Sequence, residues 1–321
     1  MKQLLIIPTI LTLILCCFSC KEEKGVYNPD GTYSSNGIYS IEEGVSSSEM
    51  AITNIYHLVL LALDEENIIL NTTTNGYPII KKEKLFPQSS NEYPLILTID
   101  FGEDTIECFD QRFRKGKIVS EVSSSWKDSL SQIDVDVIDY YMASHLPISS
   151  SETENEYFIS QIGCNFSMTI RNKGLTSEFN NEKLPTQSIV LDSAKMETTL
   201  GEITLSSQRN VFFVEGFNTL DYYDDITYNT LNSGGTSFDF KDNYWDFEVR
   251  NLKGEEEGLA YFSFYRYCPW IKNGNFAIYN INKNTSYQKT SIVSFGNLSQ
   301  NTCSNLAFYD SNGQSIYINL P

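Results

Sequence analysis

Leu95-Ile96-Leu97-Thr98-Ile99-Asp100-Phe101 places Leu95, Leu97, Ile99 and Phe101 on alternate positions. A side-chain period of two puts those four on one face of an extended strand, the pattern of a half-buried antiparallel strand with core on one side and water on the other. The same period recurs along the chain. Ile133, Val135 and Val137 alternate with Asp134 and Asp136, and Phe166, Met168 and Ile170 repeat the pattern. Further β-rich runs lie at Val211 to Val214, Trp245/Phe247/Val249, Tyr261 to Tyr267, Phe276/Ile278 and Ile316/Ile318/Leu320. Asn273-Gly274 and Asn312-Gly313 fall between such runs and suit hairpin turns that need positive φ. The chain therefore reads as mainly β.

One segment breaks the period. Ser46 and Glu49 fit a capping box, after which Met50, Ile52, Ile55, Leu58, Val59 and Ala62 recur at helical spacing. Asp64-Glu65-Glu66 oppose the dipole at the carboxyl end, so the helix is expected to stop there. The polar, turn-rich stretch from Arg171 to Ser188 reads as a boundary. The expectation is two antiparallel β-sandwich or meander modules with one N-terminal helix: a first module over 45–180 and a second over 181–321. An internal echo agrees, because Thr98 to Gly102 followed by Cys108, Asp110 and Gly116 is answered by Ser291 to Gly296 followed by Cys303, Asp310 and Gly313.

The amino end reads differently from the body. Lys2, an apolar run from Leu4 to Leu15, and Ser19 before Cys20 form a secretion signal too short to span a bilayer. Residues 1–19 are then a signal peptide, and residues 20–44, polar and rich in turn residues, a flexible spacer. The signal resembles that of bacterial lipoproteins, which implies cleavage after Ser19, lipidation of Cys20 and an outer-membrane lipid as the first partner. An ordinary signal peptide and a retained anchor are the alternatives. Cys20-Lys21-Glu22-Glu23 is similar to the export signal of Bacteroidota surface lipoproteins, so Lys21, Glu22 and Glu23 imply display on the cell surface. Asp110-Gln111-Arg112-Phe113-Arg114-Lys115-Gly116-Lys117-Ile118, with Cys268-Pro269-Trp270-Ile271 and Phe295-Gly296 further on, resembles segments of uncharacterised Bacteroidota lipoproteins; Gln111 stands where that run usually has glycine. The resemblance implies architecture and location, and no catalytic residue.

Lys and Arg number 23 against 41 Asp and Glu, a net charge of −18. Such a field repels phosphate backbones, so nucleic acid is excluded as a natural partner. Seven cysteines are present. Cys16 and Cys17 fall in the signal and Cys20 takes lipid, leaving Cys108, Cys164, Cys268 and Cys303. An even set in an exported chain suggests two disulfides, with Cys108–Cys164 and Cys268–Cys303 preferred among three connectivities. Four buried free thiols are the alternative. No CxxC follows Cys20, which argues against zinc.

Catalytic signals are sparse. His57 and His145 are the only histidines, no Gly-x-Ser-x-Gly occurs, and no phosphate-binding glycine loop is present. Asp221, Asp224 and Asp225, in Asp221-Tyr222-Tyr223-Asp224-Asp225, bring oxygen ligands close enough for Ca²⁺, but the spacing matches no calcium loop and a solvated turn is the favoured reading. Most aromatics are expected in the core; Trp126, flanked by serines and Lys127-Asp128, is the better candidate for an exposed, glycan-binding ring. Thr105, Ser129 and Ser193 stand in Asp-(Ser/Thr)-apolar tripeptides that resemble Bacteroidota O-glycosylation acceptors. The expected function is a surface-tethered, non-catalytic module that binds glycans or envelope proteins. The alternatives are a carbohydrate hydrolase using paired carboxylates and an accessory subunit of an outer-membrane uptake complex.

Overall fold

The computed structural model describes residues 26–27, 33–34, 41–64, 78–108, 110, 112–145, 159–179, 182–198, 201–218, 226–229, 234–239, 244–250, 260–261, 271–280, 290–295, 306–311 and 314–321. The chain divides into two units at 39/40. In the first, β1 (Val26–Tyr27) pairs antiparallel with β2 (Tyr33–Ser34). In the second, helix α1 (Ile41–Asp64) precedes β3 (Ile79–Lys84), β4 (Leu95–Glu107), β5 (Arg112–Val122), β6 (Gln132–His145), β7 (Ile159–Phe179), β8 (Glu182–Thr198) and β9 (Gly201–Glu215). The remaining strands are β10 (Ile226–Asn229), β11 (Gly234–Asp239), β12 (Tyr244–Arg250), β13 (Ala260–Tyr261), β14 (Ile271–Asn280), β15 (Thr290–Phe295), β16 (Leu306–Ser311) and β17 (Gln314–Asn319).

β3 to β17 form one antiparallel sheet in nearly sequential order, with β10 and β13 off its main path. Sequential hairpins are what the alternating runs dictate, since each strand can bury one face only against the same core. Leu95, Leu97, Ile99 and Phe101 are all buried, as are Ile133, Val135, Val137, Phe166, Met168 and Ile170. Asp134 and Asp136 point outward, where they accept hydrogen bonds from Thr169 and Ser167 on β7.

The sheet curls around α1. The helix touches β4, β5, β7 and β8 from one half of the sheet order and β15 from the other. Ser144, near the end of β6, donates through Oγ to the carbonyl of Leu320, just beyond β17, at 2.8 Å. Consequently nearly every residue from Glu42 to Leu63 is buried, polar ones included. The hydroxyls of Ser46, Ser48 and Thr53 donate to the carbonyls of Glu42, Gly44 and Glu49, which satisfies them without water. At the other end Lys82 donates to the carbonyl of Leu63 at 2.9 Å, placing an ammonium on the negative end of the dipole.

Three expectations are corrected. The boundary at 180/181 lies within a hairpin: Phe179 registers with Glu182, and β8 pairs with β9 without a break, so the body is one sheet and not two modules. The turn residues that suggested a linker are absorbed as register shifts beside Gly174 and between Leu175 and Ser177. The helix begins at Ile41, inside the expected spacer, and Ser46 lies within it instead of capping it. Asn273-Gly274 is no hairpin turn; it sits inside β14, where Gly274 has φ 123 and pairs with Phe295. Ser311 registers with Gln314 where β16 and β17 meet, and the other expected turn, Asn312-Gly313, lies outside the described residues.

A bulge in β6 has a visible cause. Lys115 and Lys117 of β5 register with Tyr141 and Ile138, so β6 carries one extra residue there, and Asp139 adopts φ 46. The Asp139 carbonyl fills the space beside Gly116, where an added Cβ would lie 2.2 Å from its oxygen. Gly116, at φ 87, is therefore required both by conformation and by contact.

Candidate functional site

The most concentrated polar chemistry among the described residues lies inside the sheet, at the β4–β5 turn. Even-numbered residues of β5 face inward, so Arg112 and Arg114 enter the core in phase with Ile118, Ser120 and Val122. Asp110 meets Arg114 in a bidentate pair, with Nη1 to Oδ1 at 2.7 Å and Nη2 to Oδ2 at 2.6 Å. Arg112 Nη1 lies 4.0 Å from Asp110 Oδ2. From the helix, Asn54 Oδ1 accepts from Arg114 Nη2 at 3.2 Å and from the Tyr140 hydroxyl at 3.0 Å, while Arg114 Nε donates to that hydroxyl at 3.1 Å.

Burial and charge fix the protonation of this cluster. Burial pushes the Asp110 carboxyl up, but Arg114, its hydrogen bonds and Arg112 outweigh it and hold the pKa below the ordinary value. Burial lowers Arg112 to about 10 against the pull of Asp110. Arg114 is raised, because Asp110 and its other neighbours overcome the burial that works against its charge. Burial raises Tyr140, Cys108 and Cys164, and it lowers His57 to about 3, with Arg112 adding to the effect. General acid–base work needs a group poised near the operating pH. These groups are all displaced from it, and their arrangement holds the helix to the sheet.

A second link runs to the other side of α1. Glu49 forms a buried bidentate ion pair with Arg209 of β9, whose Nη2 also donates to Ser207 Oγ at 2.7 Å. Further along the helix, the Tyr56 hydroxyl donates to Gln187 Oε1 at 2.8 Å, and Gln187 Nε2 donates to the carbonyl of Trp126. That carbonyl also accepts from Asn172 Nδ2 and Ser131 Oγ. The Trp126 indole donates to Asp64 at 2.6 Å, its ring packs against Phe213 and Phe217, and Lys127 lies over it while pairing with Asp64.

Trp126 is thus 1 % exposed, which rules it out as the candidate for an exposed glycan-binding ring. It is the pillar beneath a surface loop. Backbone bonds from Leu130 to Asn172 and from Asn172 to Ser131 clamp the loop onto β7. Clamped there, Leu130 is 85 % exposed and held at φ 69, and Leu175, just after the neighbouring Gly174, is 60 % exposed.

The other candidates divide by position. Cys108 and Cys164 are free and buried, which overturns their expected disulfide. They lie on or beside β4 and β7, three strand steps apart at roughly 4.8 Å each, beyond the ~7 Å Cα limit for a bridge. Thr105, Ser129 and Ser193 are exposed, with the Ser193 hydroxyl donating to Asp192 at 3.0 Å. Cys20, Lys21, Glu22, Glu23, Asp221, Asp224, Asp225, Cys268 and Cys303 lie outside the described residues. Among the described residues no cluster of three or more His, Cys, Asp or Glu side chains is arranged to hold a metal, and no helix is long and apolar enough to cross a membrane.

Sequence reasoning missed Asp110, Arg112, Arg114 and the Glu49–Arg209 pair. A signal existed for the arginines: extending the alternation of Ile118, Ser120 and Val122 backward places both inside. Nothing comparable pointed from Glu49 to Arg209, which are 160 residues apart. No protein-family model, curated protein or solved structure matches the chain.

Proposed function

We propose that the chain is a lipid-anchored surface protein that acts as a non-catalytic binding module, and that the loop carrying Leu130 is its contact surface. The signal-like amino end and Cys20 motivate the anchor. The loop motivates the binding role. A left-handed backbone costs an L-residue roughly 1–2 kcal/mol, and here a leucine accepts that cost while holding its side chain in water. Such strain persists only where surrounding structure fixes it, and the bonds converging on Trp126 and Asn172 do so. A rigid scaffold that presents a preset loop is a common plan for recognition. Leu130 and Leu175 supply the apolar contact, and a partner with a small apolar pocket, whether an envelope protein or the face of a sugar, fits them.

The test is an array of glycans and envelope proteins probed with the full chain and with Leu130→Gly. Glycine accepts the backbone conformation, so the variant should melt no lower than the parent while losing its array signal. Equal signals from both proteins would reject this surface. Palmitate labelling that depends on Cys20 tests the anchor separately. Exposed Thr105, Ser129 and Ser193 are proposed glycan acceptors, and an intact mass equal to that of the unmodified lipoprotein would exclude them.

A further inference from the structure

The two ends of the sheet order are β3 and β17, and they are built in opposite ways. β3 reads Ile79-Ile80-Lys81-Lys82-Glu83-Lys84, an edge guarded by lysines; β17 reads Gln314-Ser315-Ile316-Tyr317-Ile318-Asn319 and carries no charge. Lysine on an edge strand discourages further pairing, and an uncharged, β-branched edge invites it. Among the described residues β17 pairs only with β16. We propose that β17 is a strand-pairing edge that takes a second copy of this chain, antiparallel and centred on Tyr317.

The register indicates which groups are offered. Ser311 and Gln314 close the β16–β17 hairpin, so hydrogen-bonded pairs recur at Tyr309/Ile316 and Ala307/Ile318. The intervening Ser315, Tyr317 and Asn319 turn their backbone N–H and C=O groups away from β16, to the side on which no described strand pairs with β17. A two-fold axis normal to the sheet through Tyr317 would set Tyr317 beside its copy and each Ser315 opposite an Asn319, for about six backbone hydrogen bonds. Side chains agree with that axis. Tyr317 lies on the outer face, 40 % exposed, with the Phe308 ring 6.1 Å away, so the two copies would form a row of four aromatic rings. Ile316 and Ile318 face inward and would meet across the junction, continuing the apolar core from one copy into the next.

Charge selects the occupant. Two chains of net charge −18 repel at long range, so self-association needs a contact patch free of like charges. β17 is such a patch, and the nearby Asp310 already accepts from the Ser315 hydroxyl at 2.7 Å. Pairing β3 with its own copy would oppose lysines, and pairing β17 with β3 of another copy would leave free edges and grow open chains. The β17 pair closes at two and should tighten as salt screens the general repulsion.

Sedimentation velocity of the full chain carrying Cys20→Ser, in detergent matched to solvent density, tests this without acyl chains contributing to the mass. The expected result is a monomer–dimer equilibrium that strengthens with sodium chloride. Tyr317→Lys should weaken the dimer at least roughly tenfold, and Thr105→Lys, at an exposed site on β4, should leave it unchanged. Ser315→Pro is the second probe, because it removes an N–H directed away from β16 and should also give monomer. A monomer throughout the micromolar range at high salt, open-ended oligomers, or a dimer equally tight in Tyr317→Lys and Ser315→Pro would overturn the proposal.

Discussion

Acidification from about pH 7 to about pH 5 should cost the folded chain about 2 kcal/mol through His57 alone. The imidazole is buried on α1, with the Tyr56 ring edge-on at 5.2 Å, and its pKa falls from 6.5 to about 3, first through burial and then through the Arg112 charge. In the unfolded chain the same ring takes a proton near pH 6.5, whereas the folded chain refuses it until about pH 3. The native state therefore holds the full advantage above the unfolded value and loses it as pH falls through that window, at about 1.4 kcal/mol per pH unit. Stopping about 1.5 units below the unfolded value gives the figure of about 2 kcal/mol. Asp110 adds little over this interval, because its folded pKa is depressed and its contribution is lost only below the ordinary carboxylate range. Urea denaturation of the parent and of His57→Gln at both pH values isolates the effect: the parent should lose about 2 kcal/mol more than the variant. Equal losses, or titration near pH 6.5 of the folded-state imidazole resonance that disappears in His57→Gln, would refute the assignment of His57 as a buried neutral base.

Other expectations follow from the same interior. Arg114→Met strands Asp110, Asn54 and Tyr140 without their guanidinium and should lower stability by about 3–5 kcal/mol in urea titration. Trp126→Ala should cost a similar amount, about 3–5 kcal/mol, because it empties the contact with Phe213 and Phe217 and unseats the loop above. Cys108 and Cys164 should resist a thiol reagent in the native protein and react after denaturation without reductant; denatured protein in which either remains blocked would restore the disulfide reading.

Sequence periodicity carried the strands well. Where one face met the core and the other met water, as at Leu95 to Phe101 and Ile133 to Val137, alternation identified the strand and its buried face. It failed where the surroundings changed the meaning of a residue. Polar composition around Arg171 to Ser188 looked like a linker because a hairpin with exposed residues such as Arg171, Lys173, Thr176, Glu182 and Lys183 has the same composition. Ser46 looked like a cap because a serine that bonds back to the preceding turn cannot be told from one that starts a helix until the position of the chain before it is known. Trp126 looked exposed because its sequence neighbours are polar, yet the residues that bury it, Phe213 and Phe217, are far along the chain. The candidate site was less legible still, since its ion pairs depend on which strands a curled sheet brings to opposite sides of one helix.

That curled geometry explains why the helix carries so much polar chemistry. A helix with apolar residues on every face gains nearly equal burial in several rotations and axial positions inside an apolar sheath, because area burial is non-directional. Hydrogen bonds discriminate where area does not. Glu49 reaches β9, Asn54 reaches β5 and β6, Tyr56 reaches β8, and Asp64 reaches Trp126 beyond β5. These links leave the helix in different directions and at different heights along its axis. A slide of one turn, ~5.4 Å, would break all of them at once and leave buried charges unpaired. Replacement of Glu49 and Arg209 by apolar residues of similar volume should therefore change stability by much less than removal of either alone, while loosening the register of α1. Double-mutant cycles report the first effect, and faster amide hydrogen exchange along α1 in the doubly substituted protein reports the second.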